Sequence, residues 1–143
     1  MSNVKSAINR FLTSNGPFHI AVTVNLKKRH HLYQVNNSLE LAEKSGYWLI
    51  DRLNDSVFKR KYRFRKERLN SICAVEKGEI EKRFHLHLAL GIPNHVSEHE
   101  FLNKLKKVHK KMEWAYGEPY ISKYINTGWI DYICKEGFDS VLL

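Results

Sequence analysis

The chain has 143 residues, 43% hydrophobic and 27% charged, a composition typical of one globular domain and not of a disordered segment. Lysine and arginine number 24 against 15 aspartates and glutamates, so the formal net charge is +9. This excess favours a polyanionic partner, most often nucleic acid and sometimes an anionic membrane. The sequence contains no GxxxxGK[ST] loop and no apolar run near the ~18 residues of a membrane span. We therefore expect a basic protein that has no ATP motor and does not cross a membrane.

Cysteine usage and the N-terminus bear on the compartment. Cys73 and Cys134 are too few for a disulfide scaffold and do not form a CxxC pair. Residues 1–16 lack the uninterrupted apolar stretch of a secretory signal and are predicted to be an arm or a short helix. Both features favour a reduced, cytoplasmic setting, and residues 1–143 are expected to form a single domain.

The first predicted elements are a strand and a long helix. The stretch "FHIAVTVN" (18–25) is rich in β-branched and apolar residues, which predicts a strand. Asn37 and Ser38 are good helix-cap residues, and Glu40 has the spacing of a capping box with Asn37, which predicts the start of a helix that runs to about Phe58. Its buried stripe is predicted from apolar residues at helical spacing: Ala42, Leu49, Leu53 and Val57.

The second half predicts a hairpin, a helix, a strand and a short helix. Residues 70–78 and 83–92 are strand-like and separated by a short turn, so they are expected to pair as an antiparallel hairpin. A helix is predicted to begin at Ser97. The stretch "EPYISKYIN" (118–126) is a predicted strand and "WIDYICKEG" (129–137) a predicted short helix. The order β-α-β-β-α-β-α predicts an α+β sandwich, an antiparallel β-sheet with helices packed on it.

Two histidines in the third predicted strand form the centre of a candidate site. Because strand side chains alternate between faces, His85 and His87 point the same way, onto the open face, while their leucine neighbours face the core. Glu76, on the preceding strand of the hairpin, is placed to join them. A His₂Glu set suits Mg²⁺, Mn²⁺ or Zn²⁺ better than Cu(I) and leaves positions for water and a substrate oxygen. A plain surface pair of histidines is the alternative, and His95 is a rival third ligand. Four further histidines are expected in solvent: His30, His31, His99 and His109.

A tyrosine and a lysine share one face of the last predicted helix. Tyr132 and Lys135 are three residues apart, so their side chains are neighbours. A lysine beside a phenol favours the phenolate and can hold a phosphate oxygen. A tyrosine beside a metal that binds phosphate can act as a nucleophile. The alternative is a tyrosine packed at the sheet edge with the lysine in solvent.

Two basic segments are candidates for binding nucleic acid. They are expected to lie beside the face of the sheet that carries the predicted metal ligands. The first follows the first strand and consists of Lys27, Lys28 and Arg29. The second has Tyr62 and Phe64 between its cations, and these rings could stack on unpaired bases. Its cations are Lys59, Arg60, Lys61, Arg63 and Arg65, continued by Lys66 and Arg68. A solvated basic turn is the alternative for this second segment.

The order of these motifs resembles a known family. The strand "FHIAVTVN", the acid in "CAVEKG", the "HLHL" pair and the helix "WIDYICKEG" resemble the HUH endonucleases, where U is a hydrophobic residue. They resemble in particular the single-tyrosine replication initiators, or Rep proteins, of rolling-circle plasmids, phages and single-stranded DNA viruses. The stretch from Trp48 to Pro93 is also similar to small bacterial plasmid- or phage-type Rep sequences. The resemblance covers roughly residues 18–138.

The resemblance implies an HUH/RRM-like sandwich and a set of roles. His85, His87 and Glu76 would bind Mg²⁺ or Mn²⁺, Tyr132 would be the nucleophile, and Lys135 the lysine of the YxxK motif. Such enzymes nick and rejoin single-stranded DNA or an origin hairpin through a 5′-phosphotyrosine link, and release a 3′-OH for a polymerase. Since the sequence lacks the helicase domain of many viral initiators, a host helicase and polymerase would act in trans, in the cytoplasm of a bacterial host.

Three alternatives stay open. The first strand ends "TVN", a loose match to the initiator pattern, and Tyr124 is a rival nucleophile. A transposase of the same superfamily, acting as a dimer, has similar size and chemistry. A different class is a nucleic-acid-binding module without catalysis, whose histidines are surface residues.

Overall fold

A computed structural model describes residues 7, 10, 12–80, 82–123, 128–133 and 141–142, and for residue 133 the backbone alone. The strands in this part of the chain are β1 (Ile20–Asn25), β2 (Ser71–Lys77), β3 (Phe84–Leu90), β4 (Tyr120–Lys123) and β5 (Val141–Leu142). The helices are α1 (Leu39–Phe58), α2 (Arg60–Arg65), α3 (Glu98–Lys110) and α4 (Gly128–Ile133). None of these helices is long and apolar enough to cross a membrane.

The strands form one antiparallel sheet in the order β4-β1-β3-β2-β5. The β2–β3 pair is the predicted hairpin. β1 is inserted on the other side of β3, so the strand that carries the histidines lies at the centre of the sheet. The predicted α+β class, an antiparallel sheet with helices packed on it, is confirmed.

One face of the sheet holds the main core. Leu86 and Leu88 of β3 are fully buried there beside Cys73 of β2, and burial raises the pKa of the Cys73 thiol to about 12. The predicted stripe of α1 is buried against the same face, as is the apolar side of α3. Alternation along the strands therefore sends the leucines of "HLHL" to this core and the histidines to the other face.

The opposite face is less open than the sequence indicates. A second, smaller core covers part of it and comprises Leu12, Phe18, Ile72, Ala74, Ala89, Ile130 and Val141. α4 and the N-terminal residues can approach this region closely because Ala74 and Ala89 present only methyl groups. The expectation of an open histidine face is therefore wrong at His87, which is 4% exposed, whereas His85 is half-buried.

Two local expectations also need correction. The N-cap of α1 is Ser38, one of the two predicted cap residues, whose hydroxyl accepts from Leu41 N at 3.2 Å; the capping box predicted for Asn37 is wrong. The Asn37 amide is used elsewhere, because its Nδ2 donates to Lys27 O at 3.0 Å. The order of elements gains β5 and also α2, which forms within the second basic segment.

Two histidines expected in solvent are buried. His30 is 3% exposed, and its Nε2 lies 3.1 Å from a carboxylate oxygen of Glu113. His109 is 5% exposed, and its Nε2 makes no hydrogen bond to the described part of the chain. Burial lowers the pKa of His109, against a smaller opposing effect of Glu118.

The burial of His109 gives an expected pH dependence of stability. Because its folded pKa lies below the usual value of about 6.5, the unfolded chain binds the proton more readily, and stability is lost as pH falls below that value. His109→Leu should reduce this loss by up to about 1.4 kcal/mol per pH unit, measured by urea unfolding between pH 7 and pH 5. His31→Leu, at an exposed histidine, should keep the wild-type slope. An unchanged slope in His109→Leu would contradict the assignment.

Candidate active site

Strand register brings the candidate ligands into two adjacent rows on the histidine face. In one row, His85 of β3 lies between Asn25 of β1 and Glu76 of β2. In the next row, His87 lies between Thr23 and Ala74. The acid and both imidazoles therefore stand on one face at one end of the sheet.

His87 is fixed from both sides. Its Nδ1 lies 3.1 Å from the Thr23 hydroxyl oxygen, and its Nε2 lies 3.6 Å from a carboxylate oxygen of Glu76. The second distance is too long for a hydrogen bond. Two atoms bound to one cation at about 2.0–2.2 Å lie roughly 3.0–3.5 Å apart, so this pair is close to the spacing that a shared ion requires.

His85 is oriented by a side chain of β1. Its Nδ1 lies 2.6 Å from the amide oxygen of Asn25. Because an amide oxygen only accepts, Nδ1 carries the proton, and the Nε2 lone pair remains for a ligand. Gly78 leaves room beside that atom, since a Cβ there would lie 3.2 Å from His85 Nε2.

The three predicted ligands are neighbours but do not converge on a point. The His85 and His87 ring centroids are 6.2 Å apart. No group of three or more His, Cys, Asp or Glu side chains is arranged to hold a metal ion within the residues that the structure describes. The donor set fits a divalent cation at His87 and Glu76, and the Nε2 atom of His85 faces the same side of the sheet.

α4 places a phenol beside His87. The Tyr132 ring is 5.4 Å from the His87 ring, edge to face, and its side chain is 43% exposed. Trp129 stacks on Tyr132 at 5.4 Å and donates from Nε1 to Leu88 O at 2.9 Å, which ties the helix to β3. Lys135 and the rival Tyr124 lie outside the described residues.

Exposed aromatic rings continue from this site across the β1–β4 edge. Tyr120 of β4 lies opposite Thr23, on the face of His87, and is 72% exposed. Tyr116 donates from its backbone N to Asn25 O at 2.8 Å. The guanidinium of Arg83 covers the Tyr116 ring at 3.8 Å. Rings and a cation thus border the end of the sheet that carries His85.

The first basic segment also lies at this end, directly after β1. Lys27 donates from Nζ to Glu113 O, and Arg29 donates to the side-chain oxygens of Gln34 and Asn36. Lys27 therefore ties this segment to the chain after α3, and Arg29 shapes its own loop. Lys28 and Arg29 are both exposed.

The second basic segment does not lie near His85 and His87. α2 is held to α1 by Tyr62, whose hydroxyl donates to Asp51 at 2.6 Å, and by the Arg63–Asp55 ion pair at 2.9 Å. α1 covers the main core, so α2 belongs to the opposite side of the sheet. The rival ligand His95 is also distant, since its Nε2 lies 3.1 Å from Val57 O near the end of α1.

Sequence reasoning missed the residues that orient the site. Alternation in "TVN" places Thr23 and Asn25 on one face, but it does not reveal that β1 pairs with β3. Trp129 could have been found, because it lies three residues before Tyr132 on the same helix face.

Fold and site together define an α+β protein with an imidazole–carboxylate pair on the central strands of an antiparallel sheet and a partly exposed phenol beside it. Comparison of the chain with protein-family models, with curated proteins and with solved structures finds no match.

Proposed function

We propose that this chain is a metal-dependent phosphodiester-cleaving enzyme whose nucleophile is Tyr132. Within that class, it is a site-specific single-stranded DNA endonuclease and strand transferase that starts rolling-circle replication of a plasmid or phage. The observation that carries the proposal is the contact series from Glu76 to His87 at 3.6 Å and from His87 to Tyr132 at 5.4 Å.

The chemistry assigned to Tyr132 is a transesterification. Its phenol oxygen attacks phosphorus, forming a tyrosyl O–P bond while the bond between phosphorus and the 3′ oxygen breaks. The phenol proton leaves to water, which reaches this half-exposed side chain, and the departing 3′ oxygen takes up a proton. The products are a 5′-phosphotyrosine and a free 3′-OH. Attack by a 3′-OH on the phosphotyrosine reverses the step and rejoins DNA.

The residues around the phenol orient the reacting groups. His85, His87 and Glu76 would hold Mg²⁺ or Mn²⁺, which would polarise the phosphoryl group and offset its developing charge. Thr23 contacts Nδ1 of His87 and Asn25 contacts Nδ1 of His85, and these contacts orient the two imidazoles. Trp129 restricts the ring of Tyr132 to one side of His87.

The exposed rings of Tyr116 and Tyr120 beside the site support single-stranded DNA as the substrate. Unpaired bases can stack on an exposed ring for about 1–3 kcal/mol each, whereas paired bases cannot reach one. Tyr120 offers such a ring next to Thr23, and Lys28 offers a charge at the same end of the sheet. A single strand lying over β4 and β1 would bring its backbone to His85 and Tyr132.

A covalent-adduct assay tests the proposal. The full chain is incubated with Mn²⁺ and labelled single-stranded oligonucleotides of many sequences, and then denatured. A labelled protein band that survives denaturation, together with a released 3′-OH fragment, is the expected result. Binding without adduct across these sequences and with Mg²⁺, Mn²⁺ and Zn²⁺ would contradict it.

A binding module without catalysis is the second candidate. The observation that favours it is that the three predicted ligands do not converge, with His87 almost fully buried. It predicts that Mn²⁺ changes neither the affinity for single-stranded DNA nor the thermal stability of the protein. A metal-dependent rise in Tm would count against it.

Asn25 provides a test of how the site is built. Asn25→Ala removes the acceptor for His85 Nδ1, so the ring loses its orientation, and Mn²⁺ affinity should fall by about 10–100-fold. Asn25→Asp keeps an acceptor oxygen and should restore most of the affinity, while Asn103→Ala, on α3, should have no effect. Electron paramagnetic resonance of free Mn²⁺ measures this directly. Equal affinity in Asn25→Ala and wild type would exclude a role for Asn25 in positioning.

A further inference from the structure

The second basic segment carries a concentration of charge that the proposed site does not use. Seven cations lie between Lys59 and Arg68, against the single acid Glu67. Arg63 is paired with Asp55. The other three cations of α2 are exposed and form no ion pair with any described residue: Arg60, Lys61 and Arg65. This surface is therefore strongly positive.

Two lysines at the ends of α2 occupy backbone conformations that favour glycine. Lys59 has φ 54° and ψ −123°, and Lys66 has φ 61° and ψ 24°. A side chain with a Cβ is strained in this left-handed region, and glycine would relieve the strain. Since both side chains are exposed, their contribution to packing does not explain why lysine stands there. What lysine adds over glycine at these two exposed positions is positive charge.

Position separates this surface from the histidine site. α2 is fastened to α1, behind the face that carries the main core, and β2 begins three residues after Arg68. Glu76 lies at the other end of β2, about 17 Å from Ser71 at roughly 3.4 Å per residue, a length equal to about five base pairs. The two surfaces therefore lie on opposite sides of the sheet and would contact different parts of a nucleic acid.

The aromatic residues of α2 favour paired over unpaired DNA. The hydroxyl of Tyr62 is bound to Asp51, and the guanidinium of Arg68 lies 5.6 Å from the centre of its ring. Phe64 remains as the one freely exposed ring of the helix, at 79%. With so little surface for stacking on bases, recognition falls to the phosphates, which a duplex presents without exposing its bases.

We propose that α2, with Lys59 and Lys66, is a second nucleic-acid-binding surface that takes the phosphate backbone of double-stranded DNA, apart from the single strand at the histidine site. The choice of DNA as the ligand of this surface rests on the proposed function. It would let one protein hold the duplex beside the strand that it cuts.

The test compares two triple variants with equal loss of charge and similar helix propensity. Arg60→Gln/Lys61→Gln/Arg65→Gln changes α2, and Lys106→Gln/Lys107→Gln/Lys110→Gln changes the exposed side of α3. Affinity for a labelled duplex of about 20 base pairs is measured by anisotropy over a salt titration. The slope of log K against log[salt] should weaken by about 2 to 3 in the α2 variant, at ~0.9 for each phosphate lost, with at least a tenfold loss of affinity near 0.1 M salt. The α3 variant should stay within about twofold of wild type.

A double glycine variant controls for loss of folding in the triple variant. Lys59→Gly/Lys66→Gly should leave Tm unchanged or raised, because it relieves strain, and should still weaken duplex binding. Equal duplex binding by the α2 variants and wild type would overturn the proposal, as would weaker binding to phosphatidylserine vesicles with duplex binding unchanged.

Failure of the proposed function is distinguishable from failure of this surface. Adduct formation on short single strands should be the same in the α2 triple variant and in wild type. If neither protein forms an adduct, the catalytic assignment fails, and the duplex titration still decides whether α2 binds DNA.

Discussion

His87→Ala is expected to abolish DNA cleavage and to reduce Mn²⁺ affinity by roughly 100-fold or more, beyond the 10–100-fold cost typical of losing a residue that only orients a ligand. His87 contacts the acid, the hydroxyl and the phenol of the site. It lies 3.6 Å from Glu76, 3.1 Å from Thr23 and against the ring of Tyr132. Removing it leaves the Glu76 carboxylate without the imidazole that would share its cation.

A folding control is needed because His87 is buried. His87→Asn retains a polar side chain next to Thr23, and urea unfolding of both variants separates loss of fold from loss of metal. His31→Ala, at an exposed histidine, should match wild type in cleavage and in Mn²⁺ affinity. Removing the metal from wild type with a chelator should reproduce the effect of His87→Ala on cleavage. A folded His87→Ala protein that still cleaves DNA would exclude a catalytic metal at this position.

Tyr132→Phe is expected to eliminate the covalent adduct, with a loss of cleavage of about 10⁴-fold or more, as is typical when a covalent nucleophile is removed. The change deletes one oxygen and keeps the ring, so the stacking on Trp129 and the contact with His87 should persist. Affinity for single-stranded DNA and for Mn²⁺ should therefore stay close to wild type. Gel analysis of denatured protein–DNA mixtures and a parallel binding titration measure the two properties.

The matched controls are other tyrosines. Tyr33→Phe changes an exposed ring in the loop after β1 and should leave adduct formation unchanged. Tyr124→Phe tests the rival nucleophile. If Tyr124→Phe abolishes the adduct while Tyr132→Phe retains it, the proposed nucleophile is wrong, although the metal site would stand.

Much of the fold could be predicted because its signals are local. Residues 70–92 show strand composition on both sides of a short turn, and a hairpin follows from that pattern alone. The alternation of "HLHL" correctly separates Leu86 and Leu88, which are buried in the core, from the histidines. Helical spacing likewise identifies the buried stripe of α1.

The features that the sequence does not predict depend on contacts between residues distant in sequence. No local pattern shows that β1 pairs with β3, so the roles of Thr23 and Asn25 were not foreseen. The burial of His87 depends on α4 packing against Ala74 and Ala89, which only the folded chain reveals. The placement of the second basic segment was missed for the same reason, because α1 carries α2 to the other side of the sheet.

The most direct test of Tyr132 as a metal-dependent nucleophile is to identify the residue that carries the nucleotide. The full chain is incubated with Mn²⁺ and a cleavable single-stranded oligonucleotide, the DNA is digested to a short remnant, and peptides are sequenced by mass spectrometry. We expect a nucleotide attached to Tyr132, absent when metal is chelated and absent in His87→Ala. A nucleotide on another residue, or an adduct that forms equally well without metal, would contradict it.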